Sequence, residues 1–244
     1  MNPAEPRFAS YAWRDTPQPM LAYGPADGPQ LLVLQPLFAE MNRCRRLIGR
    51  TLRLLAADGV GCWMPDLPGC GESPAALASI DFRDWQDAVA AAAESVARGC
   101  GRRPLVAAFR GGALLDGIEA AAHWRLSPLA GRMVLRDLVR ARLASDREEG
   151  TASTSAAIEA QAAEGEILLA GYRLAPGLSG AIAKAGLPSY AEALRTVRLE
   201  GDAAPADAYL PGPPLWRRAE PGDSPALAAA IAADISGWAR AWAA

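Results

Sequence analysis

The segment from Pro104 to Leu115 combines an apolar strand with a tight turn of the kind that carries a nucleophile in hydrolytic enzymes. Such turns follow the pattern small, any residue, nucleophile, any residue, glycine, because a strand and a helix approach closely there. Ala108 and Gly112 occupy the two small positions, and Arg110 occupies the position of the nucleophile. Arginine stays protonated in proteins and is not a nucleophile near neutral pH. The pattern therefore predicts a nucleophile turn without its nucleophile.

A serine hydrolase with this turn also needs an acid and, later in the chain, a histidine. The only histidine, His123, follows Arg110 by thirteen residues. We predict a helix over Gly111–His123, about 20 Å long at 1.5 Å per residue, which places His123 at the opposite end of the sheet from the turn. Asp202 follows a predicted strand, where the triad acid often lies. Without a histidine to orient, Asp202 is either a loop residue or a partner for Arg110.

The charge of Arg110 allows two roles. In the first, Arg110 binds an anionic ligand, such as a carboxylate or phosphate, together with free N–H groups at the start of the predicted helix and donors in the loop after Leu34. The residues predicted to line this site are Arg110, Gly111, Gly112, Leu37, Phe38 and Glu40.

In the second role, Arg110 forms a buried salt bridge and fills the pocket, because buried charges are normally paired. The candidate partners are Glu40, Asp202 and Glu220. Glu40 is also suited to stabilise the start of a helix through the helix dipole, and this role is favoured over a catalytic one.

The other candidate nucleophiles are weak. Ser73, Ser127 and the cysteines have no histidine at a matching position, and Cys70, between two glycines, is the least poor of them. The cysteines show no CxxC pair and no clustering with histidine, so the sequence predicts no metal site and no disulfide. No phosphate loop or dinucleotide fingerprint occurs, and no cofactor is predicted. We expect Asp66 to order its own turn by accepting backbone N–H groups.

Strands and helices alternate around the turn. The predicted strands are Met20–Tyr23, Leu31–Leu34, Val60–Met64, Pro104–Phe109, Thr196–Leu199 and Ala208–Leu210. The predicted helices are Met41–Ala57, a helix from the N-cap Asp81 to about Ala97, Gly111–His123, and a last helix from Ser224 to Trp242 with Pro225 at its first position. The alternation predicts the α/β class: an α/β-hydrolase fold with a mostly parallel sheet and helices on both faces.

Residues 131–189 are predicted to be a mostly helical lid inserted into a core formed by residues 1–130 and 190–244, with a break at Glu148–Ser155. The segment Gly131–Ser145 has arginines at every fourth position alternating with apolar residues: Arg132, Arg136 and Arg140. Such a helix either packs over the sheet with its arginines in water or docks on an anionic membrane. The lid is the favoured alternative.

Composition excludes several function classes. The chain has 244 residues and a net charge of −2, which suits one α/β domain and offers no strong field for nucleic acid. No apolar run reaches the roughly 18 residues of a membrane span. The first ten residues have no apolar region of an export signal. We therefore expect a cytoplasmic protein, which could also sit at the periphery of the inner membrane.

Four segments together resemble the exosortase A system-associated hydrolases of the type called hydrolase 2, within the α/β-hydrolase superfamily. They are Gln35–Arg46, Pro65–Ser73, the turn at Arg110 and Pro211–Trp216, and the similarity spans residues 20–244. The resemblance implies a role beside exopolysaccharide production and exosortase-dependent surface protein sorting in Gram-negative bacteria. It also implies that arginine at this turn is common in the family. The word hydrolase in the family name rests on the fold, and a fold does not establish an activity.

Three functions are compatible with these observations. The favoured one is an accessory protein that lacks serine-hydrolase catalysis and binds a small anionic, acyl or saccharide ligand. The second is a true ester or acyl hydrolase with an unusual nucleophile. The third is a scaffold that docks on a membrane or on a protein of the exosortase system.

Overall fold

The computed structural model describes residues 5–190 and 193–243. Residues 1–4, 191, 192 and 244, which fall within the predicted core, lie outside the described residues. The strands of the main sheet are β1 (Arg7–Trp13), β2 (Thr16–Tyr23), β3 (Gln30–Leu34), β4 (Gly61–Pro65), β5 (Leu105–Phe109), β6 (His123–Leu126), β9 (Leu194–Leu199) and β10 (Ala208–Leu210). A separate hairpin consists of β7 (Ile167–Leu169) and β8 (Tyr172–Leu174). The helices are α1 (Ala39–Ala57), α2 (Phe82–Cys100), α3 (Gly131–Glu148), α4 (Ser155–Glu164), α5 (Pro176–Lys184) and α6 (Pro225–Ala243).

The main sheet has the strand order β1-β2-β4-β3-β5-β6-β9-β10. β2 is antiparallel to both of its neighbours, and every pairing from β4 to β10 is parallel. This order, with one antiparallel strand in second place, is that of the α/β-hydrolase fold, so the predicted fold class is confirmed.

The central strands β3 and β5 are buried on both faces, which explains their nearly continuous apolar sequences. Alternate residues enter two separate cores. Leu32 and Leu34 face the core that contains α2, whereas Leu31 and Val33 face the core that contains α1 and α6. The sheet therefore has helices on both faces, as predicted.

Two predicted helix starts are confirmed. The Asp81 side chain accepts the N–H of Asp84 at 2.8 Å, and Asp84 accepts the N–H of Asp81 at 3.0 Å, which forms a reciprocal capping box. Ser224 Oγ accepts the N–H of Leu227 at 3.4 Å, and Pro225 is the first residue of α6. α2 continues to Cys100, slightly beyond its predicted end.

The predicted helix over Gly111–His123 is wrong. Arg110–Leu114 forms a single 3-10 turn, the next residues are irregular, and His123 is the first residue of β6. Two successive glycines make a poor helix start. The Asp116 side chain also forms an ion pair with Arg125 of β6, whereas on a helix it would face solvent. The β5–β6 crossover therefore contains one 3-10 turn and no α-helix.

The segment between β6 and β9 contains three helices and a hairpin that the sequence did not indicate. The break at Glu148–Ser155 is the loop between α3 and α4. The hairpin turns at Ala170 and Gly171, whose φ angles of 50° and 82° match a tight two-residue turn. Apolar residues of this segment join the core on the α2 face of the sheet, among them Val134, Leu138, Ile158, Leu174 and Leu178. Within the described residues, no helix is long and apolar enough to cross a membrane.

Candidate functional site

The turn after β5 has the geometry of a nucleophile turn. Arg110 has a φ of 56°, in the left-handed region that costs energy for a residue with a side chain. Ala108 is fully buried. A Cβ atom on Gly112 would lie 2.3 Å from the carbonyl oxygen of Gln35, so only glycine fits there. The sequence pattern therefore predicted a tight turn with Arg110 at its tip correctly, although the helix expected after it is absent.

The guanidinium of Arg110 takes part in a buried ion pair with Glu40. Nε and Nη2 donate to the two carboxylate oxygens of Glu40 at 3.2 and 2.9 Å, and Nη1 donates to the carbonyl oxygen of Ser127 at 3.0 Å. The Cζ atom lies 4.4 Å from the centroid of the Trp216 ring. The side chains of Arg110 and Glu40 are 10% and 17% exposed. Among the two roles left open for Arg110, this geometry is that of the salt bridge, with Glu40 as the partner.

The anion site was expected to use the dipole of a helix that begins at Gly111, and that expectation is wrong. The 3-10 turn of Arg110–Leu114 has five residues and no α-helix continues it, so the aligned dipole is missing. Leu37 does lie against the turn, since a Cβ on Gly111 would lie 3.3 Å from Leu37 Cγ. Phe38, like Arg110, has a φ of 56°.

A mainly apolar crevice lies between the loops that follow β3 and β4. Its volume of about 20 Å³ holds roughly one water molecule. Gln35, Asp66 and Cys70 are its polar residues, while most of the wall is apolar: Leu34, Pro36, Leu37, Phe38, Met41, Pro65, Leu67 and Leu115. An acyl or other apolar group suits this wall better than a charged one.

Asp202 and Glu220 are not partners of Arg110. Asp202 Oδ2 accepts from Arg198 Nη1 at 2.9 Å, and Oδ1 accepts the N–H of Ala204 at 3.1 Å. Burial raises the pKa of Asp202, but these hydrogen bonds, together with the charges of Arg198 and Arg110, outweigh it and leave the pKa lowered. Glu220 is exposed. Asp202 is therefore a loop residue, the first of its two predicted alternatives.

His123 lies far from Arg110, although not for the reason given by the sequence. In the parallel pairing of β5 and β6, His123 is opposite Val106, whereas Phe109, which precedes Arg110, is opposite Leu126. Three strand residues separate these positions, about 10 Å along the sheet. His123 is at the amino end of its strand and cannot act as the base for a group at position 110.

His123 belongs to a buried polar cluster that the sequence reading missed. Its ring stacks on Tyr190 with centroids 3.9 Å apart. Tyr190 donates its hydroxyl to the carbonyl oxygen of Asp116 at 2.5 Å, and Asp116 forms a two-point ion pair with Arg125 at 2.6 and 2.8 Å. The available sequence signal was the two-residue spacing of His123 and Arg125, which puts both side chains on one face of a strand.

Acid should weaken the fold through His123. Burial, and then the charge of Arg125, lower the pKa of His123 from 6.5 to about 4, and Nδ1 has no hydrogen-bond partner among the described residues. A folded-state pKa below the unfolded one favours the neutral ring, so its contribution is complete above pH 6.5 and is lost as the pH falls towards 4. The thermal midpoint should fall more steeply over this range in the natural chain than in His123→Phe. Parallel curves in thermal melts would contradict the assignment.

The structure activates none of the three candidate nucleophiles, Ser73, Ser127 and Cys70. Ser73 Oγ donates to Gln18 Oε1 at 2.7 Å, and Ser127 Oγ is buried without a partner. Burial, and then the charge of Asp66, raise the pKa of Cys70 to about 12, so its thiol stays neutral at pH 7. Asp66 accepts the N–H of Glu72 at 2.9 Å, which confirms its predicted role in ordering the turn.

The chain matches no known family model and no curated protein. Among solved structures it is similar to an α/β serine hydrolase without lid from Xanthomonas campestris, with 22% identity, coverage of 53% of this chain and 64% of that one, and a TM-score of 0.43. An esterase from Pyrococcus furiosus shows 14% identity, coverage of 59% and 56%, and a TM-score of 0.44. An epoxide hydrolase from Vigna radiata shows 19% identity, coverage of 50% and 40%, and a TM-score of 0.41. The chain thus spans less than two thirds of each structure, and the fold assignment rests on the strand order and the turn at Arg110.

Proposed function

We propose that this protein does not hydrolyse esters and serves as a ligand-binding accessory protein built on the α/β-hydrolase fold. The observation that carries the proposal is the ion pair of Arg110 with Glu40, which fills the position of the nucleophile. His123, the only histidine, lies at the amino end of β6, away from position 110, and this supports the same conclusion. The resemblance to the exosortase-associated family suggests the setting: a cytoplasmic partner of surface polysaccharide and protein export.

In this proposal, residues 131–189 cover the ligand site as a lid. Two contacts support that role. Val134 of α3 lies against the turn, since a Cβ on Gly111 would lie 3.1 Å from Val134 Cγ2, and the Tyr172 ring of β8 meets the Phe38 ring edge-on at 5.1 Å. Because the crevice beneath is mainly apolar, we propose an acyl chain or the apolar part of a saccharide lipid as its ligand. The crevice has to widen when the ligand enters.

Turnover of p-nitrophenyl esters with short and medium acyl chains tests the proposal. We expect no turnover above buffer from the natural chain, from His123→Ala or from Arg110→Ser, since a serine at position 110 would still have no base. Turnover by the natural chain that His123→Ala abolishes would overturn the proposal. Turnover of equal size in all three proteins would place an unrecognised nucleophile elsewhere and would also count against it.

The class of ligand can be tested by the shift that each ligand produces in the thermal midpoint. Decanoate should raise the midpoint, and a short sugar acid such as galacturonate should not. The shift with decanoate should persist in the double variant Glu40→Met/Arg110→Met, because the apolar wall and not Arg110 holds the chain. A shift with galacturonate that this variant abolishes would instead support the anion site at Arg110.

A further inference from the structure

The outer surface of α1 carries a dense group of positive charges. Five of the eleven residues from Arg43 to Arg53 are arginines and none is acidic, although the whole chain has a net charge of −2. Four of these arginines are exposed: Arg45, Arg46, Arg50 and Arg53. A structural role in the core is therefore excluded for them.

A second element extends the charge. The 3-10 turn Leu215–Arg217 packs on α1, where Arg43 Nη1 donates to the carbonyl oxygen of Trp216 at 3.3 Å. Arg217 and Arg218 are exposed beside it. We call the combined surface the arginine face: Arg45, Arg46, Arg50, Arg53, Arg217 and Arg218.

Few acids balance the arginine face. Asp223 pairs with Arg50 at 2.8 Å, and Glu220 lies nearby in the chain. Among the described residues, no other arginine of the face has a carboxylate within 4.0 Å. The face thus sets six positive charges against two negative ones and is open to an external anionic surface.

The neighbouring surface of α6 carries small side chains. α6 packs along α1, and its exposed residues from Ala226 to Gly237 are only alanine and glycine. Leu54, next to Arg53, is 38% exposed. Between Ala226 and Gly237 these side chains are small enough for a flat partner to approach α1, and the exposed acid at the end of α1, Asp58, pairs with Arg240 at 3.8 Å.

We propose that the arginine face docks the protein on the anionic surface of a lipid bilayer. Guanidinium groups bind phosphate with two parallel hydrogen bonds, and clustered arginines are attracted by a negative leaflet. The adjacent alanines and Leu54 suit the boundary between headgroups and acyl chains, where apolar side chains are partly buried. A nucleic acid backbone offers no such apolar region. This site is separate from the crevice and from the basic side of α3.

Co-sedimentation with vesicles tests the proposal. The protein should bind vesicles made of equal parts phosphatidylglycerol and phosphatidylcholine, but not pure phosphatidylcholine. Each arginine near an anionic leaflet contributes about five-fold in affinity, so Arg46→Glu/Arg53→Glu/Arg217→Glu should weaken binding by about 100-fold or more. About 1 M salt should release the protein, because the Debye length is then roughly 3 Å.

A charge-matched variant serves as the control. Arg132→Glu/Arg136→Glu/Arg140→Glu makes the same change in net charge on the exposed side of α3 and should bind like the natural chain. Thermal melts establish that both variants are folded. No binding to anionic vesicles, equal weakening by the two triple variants, or tighter binding to a DNA duplex than to vesicles would each overturn the proposal.

Discussion

Replacing Glu40 with alanine should lower the free energy of unfolding by about 3 kcal/mol, since it leaves the charge of Arg110 buried without its partner. The two side chains are 10% and 17% exposed, so water does little to replace the lost carboxylate. Hydrogen bonds to charged groups are also the strongest kind, and Glu40 accepts two from Arg110. Urea unfolding followed by circular dichroism measures the effect.

Two further variants interpret this result. Glu40→Met/Arg110→Met removes both charges and should recover most of the loss, because an apolar pair avoids the cost of burying ions. Glu159→Ala removes an exposed glutamate of α4 and should change stability by no more than about 0.5 kcal/mol. A Glu40→Ala protein within that same range would show that Arg110 is not held by Glu40 in solution.

The second large effect is expected at the ion pair of Asp116 and Arg125. Their side chains are 0% and 4% exposed, and Arg125 Nη2 also donates to the carbonyl oxygen of Pro188 at 2.8 Å. Arg125→Met should cost about 3–5 kcal/mol at pH 7, because the Asp116 carboxylate remains buried and unpaired. The matched control is Arg83→Met, which removes an exposed pair with Asp87 and should cost less than about 1 kcal/mol.

The cost of Arg125→Met should depend on pH. Burial raises the pKa of Asp116, and Arg125 opposes that rise with a hydrogen bond and its charge. Without Arg125 the pKa rises further above the value in the unfolded chain. As the pH falls, Asp116 is therefore protonated in the folded chain before it is protonated in the unfolded chain. The loss in free energy of unfolding caused by Arg125→Met should then become smaller between pH 7 and pH 5. A deficit that is equal at both pH values in urea unfolding would mean that the loss reflects packing and not a buried charge.

The sequence predicted the parts of the fold that depend on local patterns. Burial on both faces makes strands such as β3 almost wholly apolar. The capping box at Asp81 involves only residues 81–84, so it depends on local sequence alone. The turn at Arg110 was recognisable because its close packing demands small residues at fixed positions.

Local patterns could not show that the helix predicted after Arg110 is absent. Apolar residues from Ala113 to Leu115 fit a helix as well as a buried turn, and the choice depends on Asp116 meeting Arg125 across the crossover. Such a contact between charged groups has no periodicity. The partner of Arg110 was similarly open, because Glu40, Asp202 and Glu220 were equally plausible until the strand order placed the start of α1 beside the turn.

The most direct test of a non-hydrolytic site is labelling with a fluorophosphonate, which forms a covalent bond with the activated serine of serine hydrolases. Intact-mass spectrometry would follow the natural chain and an active serine hydrolase treated in parallel. We expect complete labelling of the active enzyme and no adduct on this protein, because its buried ion pair occupies the position of the nucleophile. A stoichiometric adduct on any one serine, blocked by heat denaturation before labelling, would contradict this account and establish the protein as an enzyme.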